Sequence, residues 1–334
     1  VTAPATAERP AGVAATGRLR LVGLVLAIAI LAVIVVVSIG VGARDIAPAT
    51  IWSAITAFDI ANDEHVMIQE LRVPRTVVGL IVGPALGVCG ALIQAYTRNP
   101  LADPGILGVN AGATFGVAAA TGLLGLTAPL AYVWFALAGA AAITIVVYVL
   151  GSLGGSGATP VKLTMAGVAL SAVLGGMTSA IILSNRATFD DMRFWGVGAI
   201  GGRSLDVVLS FAPLIVVGLA LGDDLGISLG VKTRRTRVIV VVAVTLLAGT
   251  ATALAGPIGF IGLMVPHAVR WFVGPDQRWI IAFTIVLSPI LLLVADIVGR
   301  IILPSGELRV GLVTGIIGAP VLILLARRRS VSAL

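Results

Sequence analysis

The chain holds one cysteine, two histidines and very little charge: 11% of its 334 residues are Asp, Glu, Lys or Arg. A lone Cys89 excludes an internal disulfide, and its place in an apolar run makes it a small packed hydrophobe. The only lysines are Lys162 in ATPVKLT and Lys232 in LGVKTRR, and neither follows the glycine that a phosphate-cradling loop requires. A Walker A site is therefore excluded. No GxSxG-like segment supplies a nucleophile, and Ser171 could be paired with His267 only by assumption, which argues against an intramembrane hydrolase. A metal site lacks its ligands, because no second His, Cys or buried carboxylate stands at ligand spacing from His267. A proton-coupled carrier would bury carboxylates, yet the only acidic residue inside an apolar run is Asp296. Arg300 follows four residues later on the same helix face, so a structural ion pair near the outer end is the favoured reading of that carboxylate.

Apolar residues make up 58% of the chain and the mean hydropathy is +1.11, too much for any soluble core to hide. The chain is a polytopic membrane protein, and its 41 glycines suit helices that must approach closely in lipid. A net charge of +7 could suggest nucleic acid, but the cations sit in short loops with no basic face and no interleaved aromatics. The positive-inside rule accounts for them.

Residues 1–18 are rich in Ala, Thr and Pro and read as a disordered tail, and residues 330–334 as a second tail. Between them, over residues 19–329, lie ten apolar runs: Leu19–Val41, Thr76–Tyr96, Ile106–Leu126, Ala131–Leu150, Leu163–Leu183, Val207–Leu221, Val238–Leu254, Gly259–Val273, Ile280–Leu303 and Val310–Ala326. The first is about twice the length of a signal-peptide core and reads as an anchor that is kept. Val207–Leu221 and Gly259–Val273 fall short of the roughly 20 residues that cross a bilayer, so nine or eleven spans stay open. With both termini inside, cytoplasmic segments carry 14 of the 22 lysines and arginines.

Two outer segments exceed what connection needs. TIWSAITAFDI spaces Ile51, Ile55 and Phe58 as an amphipathic interfacial helix, and FDDMRFWGVGAIGG sets Phe189, Phe194 and Trp195 at headgroup depth. Lining a pore mouth and plain anchoring both satisfy these patterns. On the other side, GDDLGISLGVKTRRTR (residues 222–237) opens with an acidic pair and closes with four cations, and reads as a short helix that another protein could grip. Asp223 and Asp224 also fit simple capping of its N-terminus. GSLGGSGATP (residues 151–160) serves equally as a gate or as a turn. NPLADPGILGVNAG, with Asn99, Pro100, Pro104 and Gly105, and GPIGFIGLMVPH, with Pro257, Phe260, Pro266 and His267, put helix breakers into apolar sequence. Irregular backbone at membrane depth survives only against protein or a water-filled cavity, so both segments should line a pathway or a helix interface. For His267 a packed, capped helix end is the favoured role. The two segments follow the second and seventh runs, a hint of two related halves.

RVPRTVVGLIVGPALGVCGALIQAYTRNPLADPGILGVNAGA, GPIGFIGLMVPHAVRWFVGPDQR, ADIVGR and ELRVGLVTGIIGAP occur in that order between Arg72 and Arg328. In these four blocks the chain resembles the FecCD-type permeases of bacterial ABC importers, which carry ferric siderophores, haem and cobalamin. The resemblance implies an all-α, ten-span permease of the type II importer architecture in the bacterial plasma (inner) membrane, dimeric with an identical or related chain. It implies two cytoplasmic ATPase subunits that bind ATP and Mg, an external substrate-binding protein, and no covalent chemistry or cofactor in this chain. It places ATPase coupling on Gly222, Asp223, Asp224, Leu225, Gly226, Leu229, Gly230 and Val231, and a cytoplasmic gate on Gly151, Ser152, Gly154, Gly155, Ser156 and Thr159. It turns Arg72, Arg75 and Arg300 outward toward glutamates of the binding protein, although alone Arg72 and Arg75 around Pro74 would pass for headgroup anchors. The alternatives from other classes are a proton-driven secondary carrier and, further off, an intramembrane enzyme.

Overall fold

The computed structural model describes residues 16–42, 44–153, 159–228, 234–303 and 306–327, and among them every regular element is a helix. In chain order these are α1 (Gly17–Gly40), α2 (Pro48–Thr56), α3 (Asp63–Val66), α4 (Val73–Thr97), α5 (Val109–Gly122), α6 (Pro129–Ser152) and α7 (Pro160–Ser184). Then follow α8 (Arg186–Trp195), α9 (Leu205–Ser228), α10 (Arg234–Ala255), α11 (Ile261–Val273), α12 (Gln277–Ile301) and α13 (Val310–Arg327). A π-helical stretch, Met67–Arg72, carries α3 into α4 without a break, and a 3-10 turn, Pro104–Leu107, leads into α5.

Local chemistry sets many of the starts. Prolines stand in the first turns of α2, α4, α6 and α7, where the missing N–H costs nothing. Thr16, Thr159, Asn185 and Asp276 cap α1, α7, α8 and α12 through their side chains. The helix begins at Gly17, inside the segment expected to be a tail; residues 1–15 and 328–334 lie outside the described residues.

Each of the ten apolar runs coincides with a helix, but the helices are not equal in length. Among the described residues seven are long and apolar enough to cross a bilayer: Gly17–Gly40, Asp63–Thr97, Pro129–Ser152, Val161–Ser184, Leu205–Gly222, Val238–Ala255 and Gln277–Ile301. Ile261–Val273 and Val310–Leu324 are shorter apolar helices, and α5 has 14 residues. The breakers explain two of the shortfalls. Residues 98–108 and 256–260 take up apolar sequence that a full helix would have used, so α5 and α11 begin late.

α4 is the hub, packing on α12, α10, α11 and α9, whereas α1 and α7 leave most of their surface uncovered. Close approach rests on glycine: a β-carbon on Gly90 would overlap the Gly262 carbonyl of α11, and one on Gly112 of α5 the Gly139 carbonyl of α6.

The outer helices refine the sequence reading. In α2 the buried face is Ile51 and Ala54, while Trp52 and Ile55, and Phe58 just past its end, are exposed. The expected Ile51, Ile55 and Phe58 face is split: Ile51 packs on the Ile46 and Ile68 cluster, and Ile55 and Phe58 are exposed. α8 is amphipathic with Phe189 exposed, whereas Trp195 at its C-terminus is buried against protein, because the chain turns there onto α10.

Candidate functional site

Two polar regions lie at opposite ends of the bundle. Arg20 at the start of α1 reaches Asp276 at the start of α12 (3.5 Å), while Arg300 at the end of α12 reaches the carbonyls of Ser38 and Val41 at the end of α1 (both 2.9 Å).

At the second of these ends the three expected docking arginines converge on one carboxylate and one helix terminus. Asp296 is fully buried, and Arg75 grips it side-on, Nε at 3.0 and 2.9 Å from the two oxygens and Nη2 at 2.8 Å from one. Arg300 adds a charge contact, Nε to Oδ2 at 3.1 Å, four residues along the same helix as anticipated. Its Nη1 donates to the α1 carbonyls and its Nη2 to Ser38 Oγ at 3.2 Å. Arg72 donates through Nη1 to the Ile39 and Gly40 carbonyls (2.8 and 2.6 Å) and through Nη2 to the Arg44 carbonyl. The last carbonyls of a helix have no partner within it, and these guanidiniums supply one. Arg72 and Arg300 are therefore turned inward in the isolated chain, at 6% and 4% exposure. Arg75 alone faces the rim, where its Nη1 donates to Glu307 at 2.7 Å. The sequence reading missed Ser38 and Glu307; ELRVG was noted only as a family block.

Beside this cluster a cavity of about 240 Å3 opens between α5, α6, α8 and the 199–203 segment, lined by Tyr132, Asp191, Trp195, Arg203 and Arg309 among others. Arg203 lies 5.8 Å over the Tyr132 ring and donates to the Leu254 carbonyl at 2.8 Å. The volume is below the roughly 300–1,000 Å3 of small-molecule sites.

The first broken segment lies toward the opposite end, and α11 runs toward it from the second, whose Gly256 and Pro257 pack on Trp195 and Gly198 beside the cavity. Arg98 closes α4 in the left-handed region (φ 52), Asn99 Oδ1 accepts from the Leu101 N–H, and Asp103 accepts from the Gly105 N–H ahead of Pro104. Phe260, also left-handed (φ 69), opens α11 with its ring against Gly318 of α13. Pro266 and His267 are buried along α11, and His267 Nδ1 lies 3.3 Å from the Pro100 carbonyl, tying one broken segment to the other. A carbonyl only accepts, so Nδ1 carries the proton. Ser171 stands instead beside Gly108, with no hydrogen bond to His267. Gln94, an amide inside an apolar run, donates to the Gly262 and Leu263 carbonyls (3.3 and 3.1 Å). No sequence signal separated it from its neighbours.

Of the expected gate, Gly151 and Ser152 finish α6 and Thr159 caps α7, with Lys162 Nζ donating to the Leu153 carbonyl at 3.0 Å. Gly154, Gly155 and Ser156 lie outside the described residues. Of the expected coupling loop, Gly222, Asp223, Asp224, Leu225 and Gly226 continue α9 to Ser228 without a break, so this part is the end of a long helix and not a separate short one. No proline separates Leu221 from Leu225, and the helix runs through Gly222. Leu229, Gly230 and Val231 lie outside the described residues.

A family model described as the FecCD transport family matches residues 30–328. The chain belongs to the FecCD transport family. This FecCD chain is 43% identical over 331 residues to the ferric enterobactin transport system permease protein FepD of Escherichia coli K12, covering 95% of this chain and 98% of that protein. It is 42% identical to the probable siderophore transport system permease protein YfiZ of Bacillus subtilis 168, over 83% of this chain and 87% of the other. Among solved structures, an inward-facing putative metal-chelate type ABC transporter superposes with a TM-score of 0.76 at 23% identity, covering 92% of this chain and 98% of that one. The fold is thus that of an ABC transporter permease, and the FecCD chain is an integral membrane protein of a transport family.

Proposed function

We propose that this chain is the transmembrane permease subunit of an ATP-driven importer for ferric siderophores, crossing the bacterial plasma membrane ten times with both termini in the cytoplasm. The observation that carries the reading is the family match over residues 30–328, reinforced by relatives named for siderophore transport along nearly the whole chain. Seven full-length apolar helices plus α5, α11 and α13 make the ten spans, the short ones completed by the broken segments. The exposed surfaces of α1 and α7 leave room for a second permease chain. Two partner ATPases bind ATP and Mg and act on the end of α9 around residues 222–231; an external binding protein delivers cargo to the end that holds Arg75 and Glu307. Since Arg72 and Arg300 are occupied by carbonyls, the rim pair is the first contact, and charge there raises encounter rate and sets orientation.

The test is uptake of iron-loaded siderophore into proteoliposomes holding this chain, its ATPase and its binding protein. Accumulation that needs ATP and both partners supports the reading. Accumulation driven by a proton gradient alone would replace it with the secondary carrier and return attention to Asp296.

A further inference from the structure

The Arg75 and Arg270 side chains present the same chemistry under opposite conditions. Arg75 sets Nε and Nη2, the side-on edge of its guanidinium, on both oxygens of Asp296. On Arg270, in the last turn of α11, the same two atoms are shut off from water and have no acceptor. No ion pair among the described residues reaches it. One turn earlier His267, at 3% exposure, spends Nδ1 on the Pro100 carbonyl and leaves Nε2 without a donor. Gln94, which holds the start of α11, likewise has an unfilled Oε1.

An unfilled forked donor therefore stands in the last turn of α11, with one unfilled acceptor a turn earlier on His267 and another on Gln94 against the first turn of the helix. Each buried polar atom left this way costs stability, and a cation costs most. The missing partner is an anion of planar, two-oxygen geometry, since the Nε and Nη2 edge pairs side-on with a carboxylate. Among the described residues none supplies it: Asp276 is held by Arg20 and Asp103 by the Gly105 N–H. The surrounding surface is basic, with Arg98 and Arg278 exposed. Arg270 itself is partly exposed, so rotation about its outer torsions carries the edge to the surface.

We propose that Arg270 is the receptor for an acidic side chain of the cytoplasmic ATPase partner, a second contact apart from the end of α9. This rests on reading the chain as an importer permease. The experiment measures the affinity of the ATPase for full-length permease in nanodiscs, made either from neutral phosphatidylcholine or with anionic phosphatidylglycerol. Arg270→Gln should weaken binding tenfold or more in both lipids, Arg270→Lys should weaken it less, and Arg278→Gln should change it under threefold. Arg270→Met keeps the apolar stem and removes the orphaned donors; it provides a folded protein if the glutamine variant is unstable, with the same tenfold loss expected. Unchanged affinity in Arg270→Gln or Arg270→Met would overturn the proposal, and so would a loss seen only in anionic lipid, which would assign the edge to lipid phosphate. If the wild-type chain binds no ATPase in either lipid, the importer reading falls with it; if wild type and variant bind equally, this proposal falls alone.

Discussion

The two ends of the bundle solve the same electrostatic problem differently. Where α1, α4 and α12 meet, three arginines, a buried aspartate and the spent carbonyls of α1 satisfy one another almost completely. Around α11, the guanidinium of Arg270, the imidazole of His267 and the amide of Gln94 each keep an unfilled atom. Burying a charge without its counter-ion is among the costliest things a fold can do, so the closed end reads as a clamp and the open end as a surface awaiting a partner.

The strongest way to break this contrast is Asp296→Ala. It strips the anion from Arg75 and Arg300 together, and should cost about 3–5 kcal/mol, seen as a large drop in thermal unfolding temperature in detergent or as loss of folded protein. Little change would mean that the clamp is not structural. Arg270→Met tests the other end with the opposite sign: removing orphaned donors should raise stability by about 1–2 kcal/mol, and a marked fall would show that Arg270 already has its partner inside the chain. At the rim, Glu307→Gln should cost less than about 1 kcal/mol, because that carboxylate is 42% exposed in a screened pair. Its effect should shrink further in high salt.

Much of this was legible in one dimension. Continuous apolar runs announce helices in lipid because the backbone there has to satisfy itself, and each of the ten runs proved helical. The prolines of 98–108 and 256–260 marked where helices begin late. The Asp296 and Arg300 pair could be read from helical spacing alone. What was not legible depended on which segments meet. Arg75 sits 221 residues from Asp296, and Arg72 more than 30 from the carbonyls it caps, so no periodicity connects them. Trp195 looked like an interfacial aromatic because its neighbours are polar, and was buried by a turn onto a helix some 60 residues later.

By itself, then, the sequence determined the solvent, the helices and the family: composition sets the phase in which the chain folds, local spacing sets its elements, and four ordered blocks mark its relatives. Tertiary structure alone decided which polar groups are spent and which are left over. A guanidinium has the same five donors wherever it stands, and whether they find acceptors is a property of the helices packed around it.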